Sequence, residues 1–388
     1  MKSNSLFDSL VKDIKKSNDF AFMLDEENPY EVKEWIDTGC YMLNAILSDG
    51  DIFKGLPKGK RIMLSGGEAT FKSLLGTLLI KSYIDNQPNA SIIFFETEGS
   101  STVKMALNAE IPSDKMIIIP VSTVEETRTQ MVNILDKIND AKYGYETKKS
   151  EKTGEIKKVK IKDFEPIPLD KQENFIIVLD SLGMLSTKKE TEDVSAGKDT
   201  RDMTRSQLIK SFARIISLKL SMAQIPLIII NHVYSTMDQY APQAVGGGSG
   251  TKYMSDVSLI ATKAKQKEGT EQIGIILGLK IDKSRFMQEN KLIKLPIHFK
   301  KGLYKYAYLI DFAQENNLFE REGISFILPD GTKAKMKDVR DNPSKYLNDI
   351  NLDFLRKKIM DIFGFGSNCF EMDQEEVKIN ETMELVEE

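Results

Sequence analysis

The sequence predicts an α/β fold in which a mainly parallel central sheet is flanked by helices, and two observations carry that prediction. The first is the stretch Arg61–Leu75, reading RIMLSGGEATFKSLL. Its apolar run Ile62–Leu64 suits a buried strand, Gly66-Gly67 breaks that strand, and Lys72-Ser73 opens a second apolar run of helical length. The second is that later apolar runs of strand length end in polar residues: Ser91–Phe95 in Glu96-Thr97-Glu98, Phe175–Leu179 in Asp180-Ser181, and Pro226–Ile230 in Asn231-His232. Ligands of open parallel sheets bind at those carboxyl ends.

Strand, glycine turn, Lys-Ser and helix together make the layout of a phosphate-binding loop. Backbone N–H groups at a helix N-terminus point at an anion, and the helix dipole favours it by up to ~1 kcal/mol. Gly66, Gly67, Glu68, Ala69, Thr70 and Phe71 form the expected cradle, with Leu74 just beyond it. Lys72 supplies a point charge for the outer phosphates, and the Ser73 hydroxyl suits Mg²⁺. The usual pattern G-x-x-x-x-G-K-[ST] has glycine before the lysine, where this chain has Phe71.

Composition narrows the class. A chain of 388 residues can bury a full core, and 41% hydrophobic with 29% charged residues is ordinary for a soluble globular protein. The longest apolar runs are strand-length, so no membrane span is expected, and the N-terminus lacks a signal-peptide core. Cys40 and Cys369 lie far apart, which suggests a reducing compartment without a disulfide framework. A net charge of −4 carries no global nucleic-acid signature, so any DNA site must be local. With His232 and His298 the only histidines, His-based metal sites and Ser-His-Asp triads are set aside.

In chain order, residues 1–30 read as a helical arm of mixed charge, either an oligomerisation arm on a neighbouring subunit or a peripheral helix. Residues 31–310 form the expected core. Thr38-Gly39 breaks the chain, Met42–Leu47 is a short helix, and Gly55-Leu56-Pro57-Lys58-Gly59 turns into the loop strand. The loop helix runs to about Ile84. A strand over Met116–Pro120 precedes a helix over about 124–138, whose apolar residues recur at helical spacing. From Lys142 to Lys171, nine lysines face six acids with no packed apolar face. That segment reads as an inserted surface hairpin or loop, solvated or touching DNA backbone. A charged stretch, Lys188–Arg205, is centred on the flexible Ser195-Ala196-Gly197. A helix over about 206–222 follows, and the glycine run Gly246-Gly247-Gly248-Ser249-Gly250 comes after the strand ending at His232. Strands are expected over 258–262, 273–281 and 292–299, with Lys283-Ser284-Arg285 after the second. Residues 311–370 read as a small helical region, and 371–388, with eight acids against one lysine, as a disordered acidic tail.

The strand ends together point to an ATP-hydrolysing core. Glu98, with Glu96 as the competing candidate, is placed to activate a water, and Asp180 occupies the Walker B position, holding Mg²⁺ through water. His232 is either a sensor of the γ-phosphate beside Asn231 or a satisfied core histidine.

At this point the blocks FIIVLDSLGMLSTKKETEDV, DMTR, IIINHVYST, VGGGSGTKYMSD and LKIDKSR, with the unusual Phe of GGEATFKS, resemble the UvsX group, the RecA-family strand-exchange proteins of tailed bacteriophages. The resemblance spans about Thr38 to Arg285. It implies a RecA-like P-loop ATPase core that forms a helical filament on single-stranded DNA and pairs it with homologous duplex DNA, with ATP and Mg²⁺ held between adjacent subunits. By position, Gly66, Lys72 and Ser73 hold phosphates and Mg²⁺, Glu98 is the base, and Asp180 the Walker B acid. Lys283 and Arg285 match the basic pair that reaches a neighbour's γ-phosphate, and His232 stands where RecA has a switch glutamine.

The resemblance also makes Lys188–Arg205 and Val233–Gly250 the two mobile DNA-binding loops. It points to Lys188, Lys189, Lys198, Arg201, Arg205, Gly246, Gly247, Gly248 and Lys252 as DNA contacts. Met105 replaces the tyrosine that stacks on adenine, and the insertion has no counterpart in the family. Single-strand-binding and mediator proteins are the expected partners, in the cytoplasm of a phage-infected bacterium. Two rivals remain at this level: a RecA-fold hexameric helicase, and a non-catalytic paralogue that regulates a recombinase.

Overall fold

The computed structural model describes residues 6–99, 102–149, 156–168, 171–198, 204–234, 244–245 and 248–365. Arg201, Gly246, Gly247, Cys369 and the acidic segment 371–388 lie outside them. The chain begins with α1 (Leu6–Ser17), β1 (Trp35–Ile36), α2 (Tyr41–Leu47) and β2 (Leu56–Pro57). The loop strand β3 (Arg61–Gly66) and its helix α3 (Lys72–Asn86) follow, then β4 (Ala90–Glu96), α4 (Thr102–Asn108), β5 (Met116–Pro120) and α5 (Val124–Tyr143). The insertion forms β6 (Tyr145–Lys149) and β7 (Ile156–Lys160). After it come β8 (Asn174–Asp180), α6 (Lys188–Ser195), α7 (Arg205–Ala223), β9 (Leu227–Tyr234) and β10 (Ala244–Val245). The core closes with β11 (Val257–Glu268), β12 (Glu271–Ser284), β13 (Leu292–His298) and β14 (Gly302–Leu303).

These strands build one ten-stranded sheet in the order β14-β13-β12-β11-β3-β9-β8-β4-β5, with β10 on β9. The strands from β11 to β5 are parallel, and β12, β13, β14 and β10 run antiparallel. Successive residues of the central strands enter opposite cores. Ile62, Leu64, Ile92, Phe94, Ile176 and Val178 pack with Leu75, Leu79 and Ile80 of α3. Met63, Ile93, Phe95, Ile177 and Leu179 pack with Ile209, Phe212, Ile216 and Leu220 of α7. Both faces are covered, which is why these strands read as continuous apolar runs instead of alternating ones.

The observed elements extend most of the expected ones. The α5 helix runs on to Tyr143 and ends at Gly144, whose left-handed φ of 71° caps it. A side chain at Gly144 would also collide with the Phe164 ring, at 2.2 Å from an added Cβ. The insertion is therefore folded onto the core as a hairpin, not simply solvated. Lys158 pairs with Asp136 and Asp140 of α5, and Lys160 with Asp19. The charged stretch after Asp180 is helical in its described part: Thr187 and Glu190 close a capping box at the start of α6.

The C-terminal region adds α8 (Leu309–Glu315), β15 (Glu320–Glu322), β16 (Ser325–Ile327), β17 (Lys333–Ala334), α9 (Met336–Asp341), α10 (Pro343–Tyr346) and α11 (Asp349–Phe363). Its three-stranded antiparallel sheet was not expected, because strands of two or three residues are too short to show a period. Phe312, Leu355, Ile359 and Phe363 continue the α3-side core, and the Arg356 guanidinium donates to buried Asp51. α1 buries no residue, and Leu6, Phe7, Leu10 and Ile14 are exposed. Among the described residues, no helix is long and apolar enough to cross a membrane.

Candidate active site at the carboxyl ends of the strands

The register places Gly66 opposite His232, and Glu96 opposite Asp180, at the same ends of adjacent parallel strands. The phosphate loop closes there. Thr70 Oγ1 and the Ala261 carbonyl lie 2.6 and 2.7 Å from where a Cβ on Gly66 would sit, so only glycine fits. Lys72 is 6% exposed, and its ammonium donates to the carbonyl oxygens of Gly66 at 2.9 Å and Gly67 at 2.6 Å. Burial lowers the Lys72 pKa, against the opposing charges of Asp180, Glu98 and Glu68. Glu68 and Ala69 are exposed at the loop tip, and Leu74 is half-buried in the first turn of α3.

Phe71 adopts φ 63°, the left-handed conformation that explains the usual glycine. For a side chain that conformation costs about 1–2 kcal/mol. The ring offsets part of the cost by packing against the α3-side core and lying under the Lys263 ammonium, 5.2 Å from its centroid.

Ser73 Oγ donates to Asp180 Oδ2 at 3.1 Å. A hydroxyl and a carboxylate facing one another beside a phosphate cradle are hard oxygen donors of the kind Mg²⁺ takes, the remaining positions going to water and phosphate. The donor set therefore fits ATP and Mg²⁺. Burial pushes the Asp180 carboxyl up to about 6, with Glu98 and Glu96 adding to it and the Ser73 hydrogen bond opposing. An unfolded Asp titrates near 3.8. Between these values the native chain keeps a proton the unfolded chain has lost, so stability falls as pH rises through that window and stays reduced above it. Asp180→Asn is accordingly expected to raise the melting temperature at neutral pH in magnesium-free buffer and to flatten the pH dependence between about 4 and 6. Differential scanning fluorimetry across pH checks this, and an unchanged melting profile would mean the carboxyl is better solvated than its burial implies.

Glu96 and Glu98 are separated by their surroundings. Glu96 is 8% exposed and accepts the Glu98 backbone N–H at 2.9 Å. The Glu98 carboxylate is a third exposed and receives Ser181 Oγ at 3.0 Å and His232 Nε2 at 2.9 Å on the same oxygen. Burial raises the Glu98 pKa, but the His232 and Ser181 hydrogen bonds outweigh it and bring the carboxyl below its usual value. His232 thus faces the carboxylate and is no core histidine. Asn231 is fully buried beside it and accepts the His232 N–H at 3.0 Å.

Two residues that the sequence reading passed over complete this corner. Thr97 Oγ1 donates to the carbonyls of Asp180 and Ser181 and accepts the Ser181 N–H at 2.8 Å, tying two strand ends together. Ser181 aims Glu98. Both stand next to motif residues, but their partners lie more than 80 residues away in sequence, and no local pattern announces them.

Lys283 and Arg285 stand elsewhere. Lys283 pairs with Ser258, which pairs with Met63, and Arg285 N–H reaches Asp256, whose own N–H reaches Arg61. Arg285 is therefore level with the start of β3, five residues and roughly 17 Å along the strand from Gly66. Lys283 Nζ donates to the carbonyls of Lys252 and Ser255, and the exposed Arg285 guanidinium lies 3.2 Å from Asp256. Asp256 is in turn held by a two-pronged bond from buried Arg61.

Of the remaining candidates, Met105 is half-buried on α4, and Lys188, Lys189 and Lys198 are exposed on and after α6. Arg205 is turned inward, donating to the carbonyls of Leu182, Gly183 and Leu185. Gly248 opens a 3₁₀ turn that carries Lys252.

A phosphate loop at the head of a doubly covered parallel sheet, with acids on the neighbouring strand ends, defines a P-loop nucleotide-binding protein. The chain is similar in sequence to RecA-family proteins. It is 30% identical over 286 residues to the "Recombination and repair protein" of Enterobacteria phage T4, a match covering 74% of this chain and 65% of that protein's length. It is 23% identical over 367 residues to "Protein RecA" of Malacoplasma penetrans, covering 93% and 97% of the two chains. Against "Protein RecA" of Petrotoga mobilis it is 24% identical over 368 residues, covering 91% and 87%. No family model matches the chain.

Proposed function

We propose that this protein is an ATP-dependent recombinase: a DNA-dependent ATPase that coats single-stranded DNA as a helical filament and exchanges it with a homologous duplex. ATP and Mg²⁺ would bind at Lys72, Ser73 and Asp180, and Glu98 would orient and deprotonate the attacking water. Its exposed, hydrogen-bonded carboxylate is better suited to that than buried Glu96. The observation that supports the reading is that Arg285 lies level with the start of β3, at the opposite end of the parallel strands from Lys72, Glu98 and Asp180. Lys283 on β12 is level with Met63 and held by the Lys252 and Ser255 carbonyls. A site using both sets is complete only between neighbouring subunits, as a filament provides. The single bond network from His232 to Glu98 offers a route by which phosphate release could reach the DNA loop after β9. The cytoplasm of an infected bacterium is the setting this reading implies, with single-strand-binding and mediator proteins as partners.

The test is ATP turnover with and without single-stranded DNA, alongside electron microscopy. A strong rise in rate with helical filaments supports a recombinase. Closed rings with strand unwinding would instead assign a hexameric helicase, and nucleotide binding without turnover a regulatory paralogue. Glu98→Gln is expected to lower turnover by about 10²–10⁴-fold while leaving nucleotide binding in place. If Glu96→Gln does this and Glu98→Gln does not, the base is Glu96.

A further inference from the structure

A cavity of about 1450 Å³ lies between the 142–171 insertion and the core. Lys58, just before β3, and Asn174, at the start of β8, line it, so it opens on the amino ends of the parallel strands, across the sheet from the phosphate loop. Its wall is of two kinds. Lys33, Lys58, Lys137, Lys142, Lys160 and Lys171 face three carboxylates, and between the lysines lie Ile138, Ile161, Phe164, Ile167 and Phe175.

Part of this charge is already matched inside the protein. Lys33 bonds Glu27, Lys58 bonds Glu34 and Asn174, and Lys160 bonds Asp19. Lys137 and Lys171 have no ion-pair partner among the described residues. Lys142 donates to the Met222 and Ala223 carbonyls at the end of α7, where burial and the nearby Lys33 and Lys58 lower its pKa to about 8. Against Asp163 and Glu173 on the same wall, Lys137, Lys142 and Lys171 leave a small excess of positive charge over an apolar floor.

We propose that this cavity is a docking site for an acidic peptide segment of a partner protein, one in which Asp or Glu alternates with aliphatic or aromatic residues. Charge complementarity selects the acids, and the Ile and Phe floor selects the apolar residues between them. Its volume exceeds the ~300–1,000 Å³ of small-ligand pockets, which suits a chain segment. Nucleic acid fits less well, because it needs open ring faces for stacking. Here the Tyr143 ring is packed edge-on against Phe20, centroids 5.2 Å apart, and the Phe164 ring covers Gly144. Lys158 of the hairpin is also held by Asp136 and Asp140 of α5. This inference is independent of the recombinase reading, since it uses none of the residues assigned to ATP or DNA.

The test uses the full chain and a fluorescein-labelled twelve-residue peptide alternating Asp with Phe and Ile, read by anisotropy. Binding is expected, and Lys137→Glu with Lys171→Glu should weaken it about tenfold or more. The thermal melt and ATP turnover of that variant should stay unchanged, because neither lysine is paired or near the nucleotide site. Absence of binding, or equal binding to the variant, overturns the proposal. So does a labelled oligothymidylate that loses affinity in the variant when the peptide does not, which would give the cavity to nucleic acid. A synthetic peptide of residues 371–388 that displaces the probe more strongly than unlabelled probe does would assign the cavity to the chain's own acidic end, and the partner claim would fall.

Discussion

Lys283→Ala combined with Arg285→Ala is expected to lower DNA-stimulated ATP turnover by about 10³–10⁵-fold, the range measured where a trans-acting arginine finger is removed from other nucleotide hydrolases. Nucleotide binding by the free chain should survive, because neither residue bonds the phosphate loop and Arg285 is level with the far end of β3. The fold should survive too. Arg285 is exposed, and its partner Asp256 keeps the two-pronged bond to Arg61, which burial opposes and which holds the Asp256 carboxyl low. Lys283→Ala strands two carbonyls, those of Lys252 and Ser255, at a cost of about 1–3 kcal/mol. Lys283→Gln would keep one donor there and serves as the control for stability. The decisive measurement mixes subunits. A chain lacking Lys72 still offers its Lys283 and Arg285, and the double variant still offers its phosphate loop. Mixed assemblies of the two inactive proteins should therefore regain part of the turnover. No recovery, or full activity in the double variant alone, would remove the shared site.

Lys72→Ala should abolish turnover, by about 10²–10³-fold or more, since in the proposed role it removes the buried loop cation that would face the developing phosphate charge. Its effect on stability should be small or favourable. The ammonium is desolvated in the free protein, and its pKa is lowered for that reason. Its loss leaves the buried Gly66 carbonyl without its donor, which offsets part of that gain, while the Gly67 carbonyl is only part-buried. Turnover assays and nucleotide titration check both halves. Retained hydrolysis would put the nucleotide somewhere other than this loop.

The central elements were legible because their signals are local. The strand, glycine pair and Lys-Ser of the loop lie within fifteen consecutive residues. The acids of β4 and β8 stand at the ends of apolar runs that a doubly buried parallel strand requires. Boundaries were less legible. α5 outran its expected end by five residues because the stop signal is Gly144, whose left-handed conformation caps the helix and which leaves room for the Phe164 ring. The insertion's lysines suggested an outward basic surface, and the structure turns several of them inward or pairs them with acids of α5 and the N-terminal segment.

By itself, then, the sequence determined the α/β class, the phosphate loop with Lys72 and Ser73, and the strand-end acids, since each follows from the chemistry of neighbouring residues. Only the tertiary structure shows that Glu98 meets Ser181 and His232 while Glu96 stays buried, because those partners arrive from distant parts of the chain. It also decided that Phe71 can occupy a glycine's conformation, through packing that the loop alone cannot supply. And it set Arg285 at the opposite end of the parallel strands from the site, because strand order and register place residues that no local spacing can bring together or keep apart.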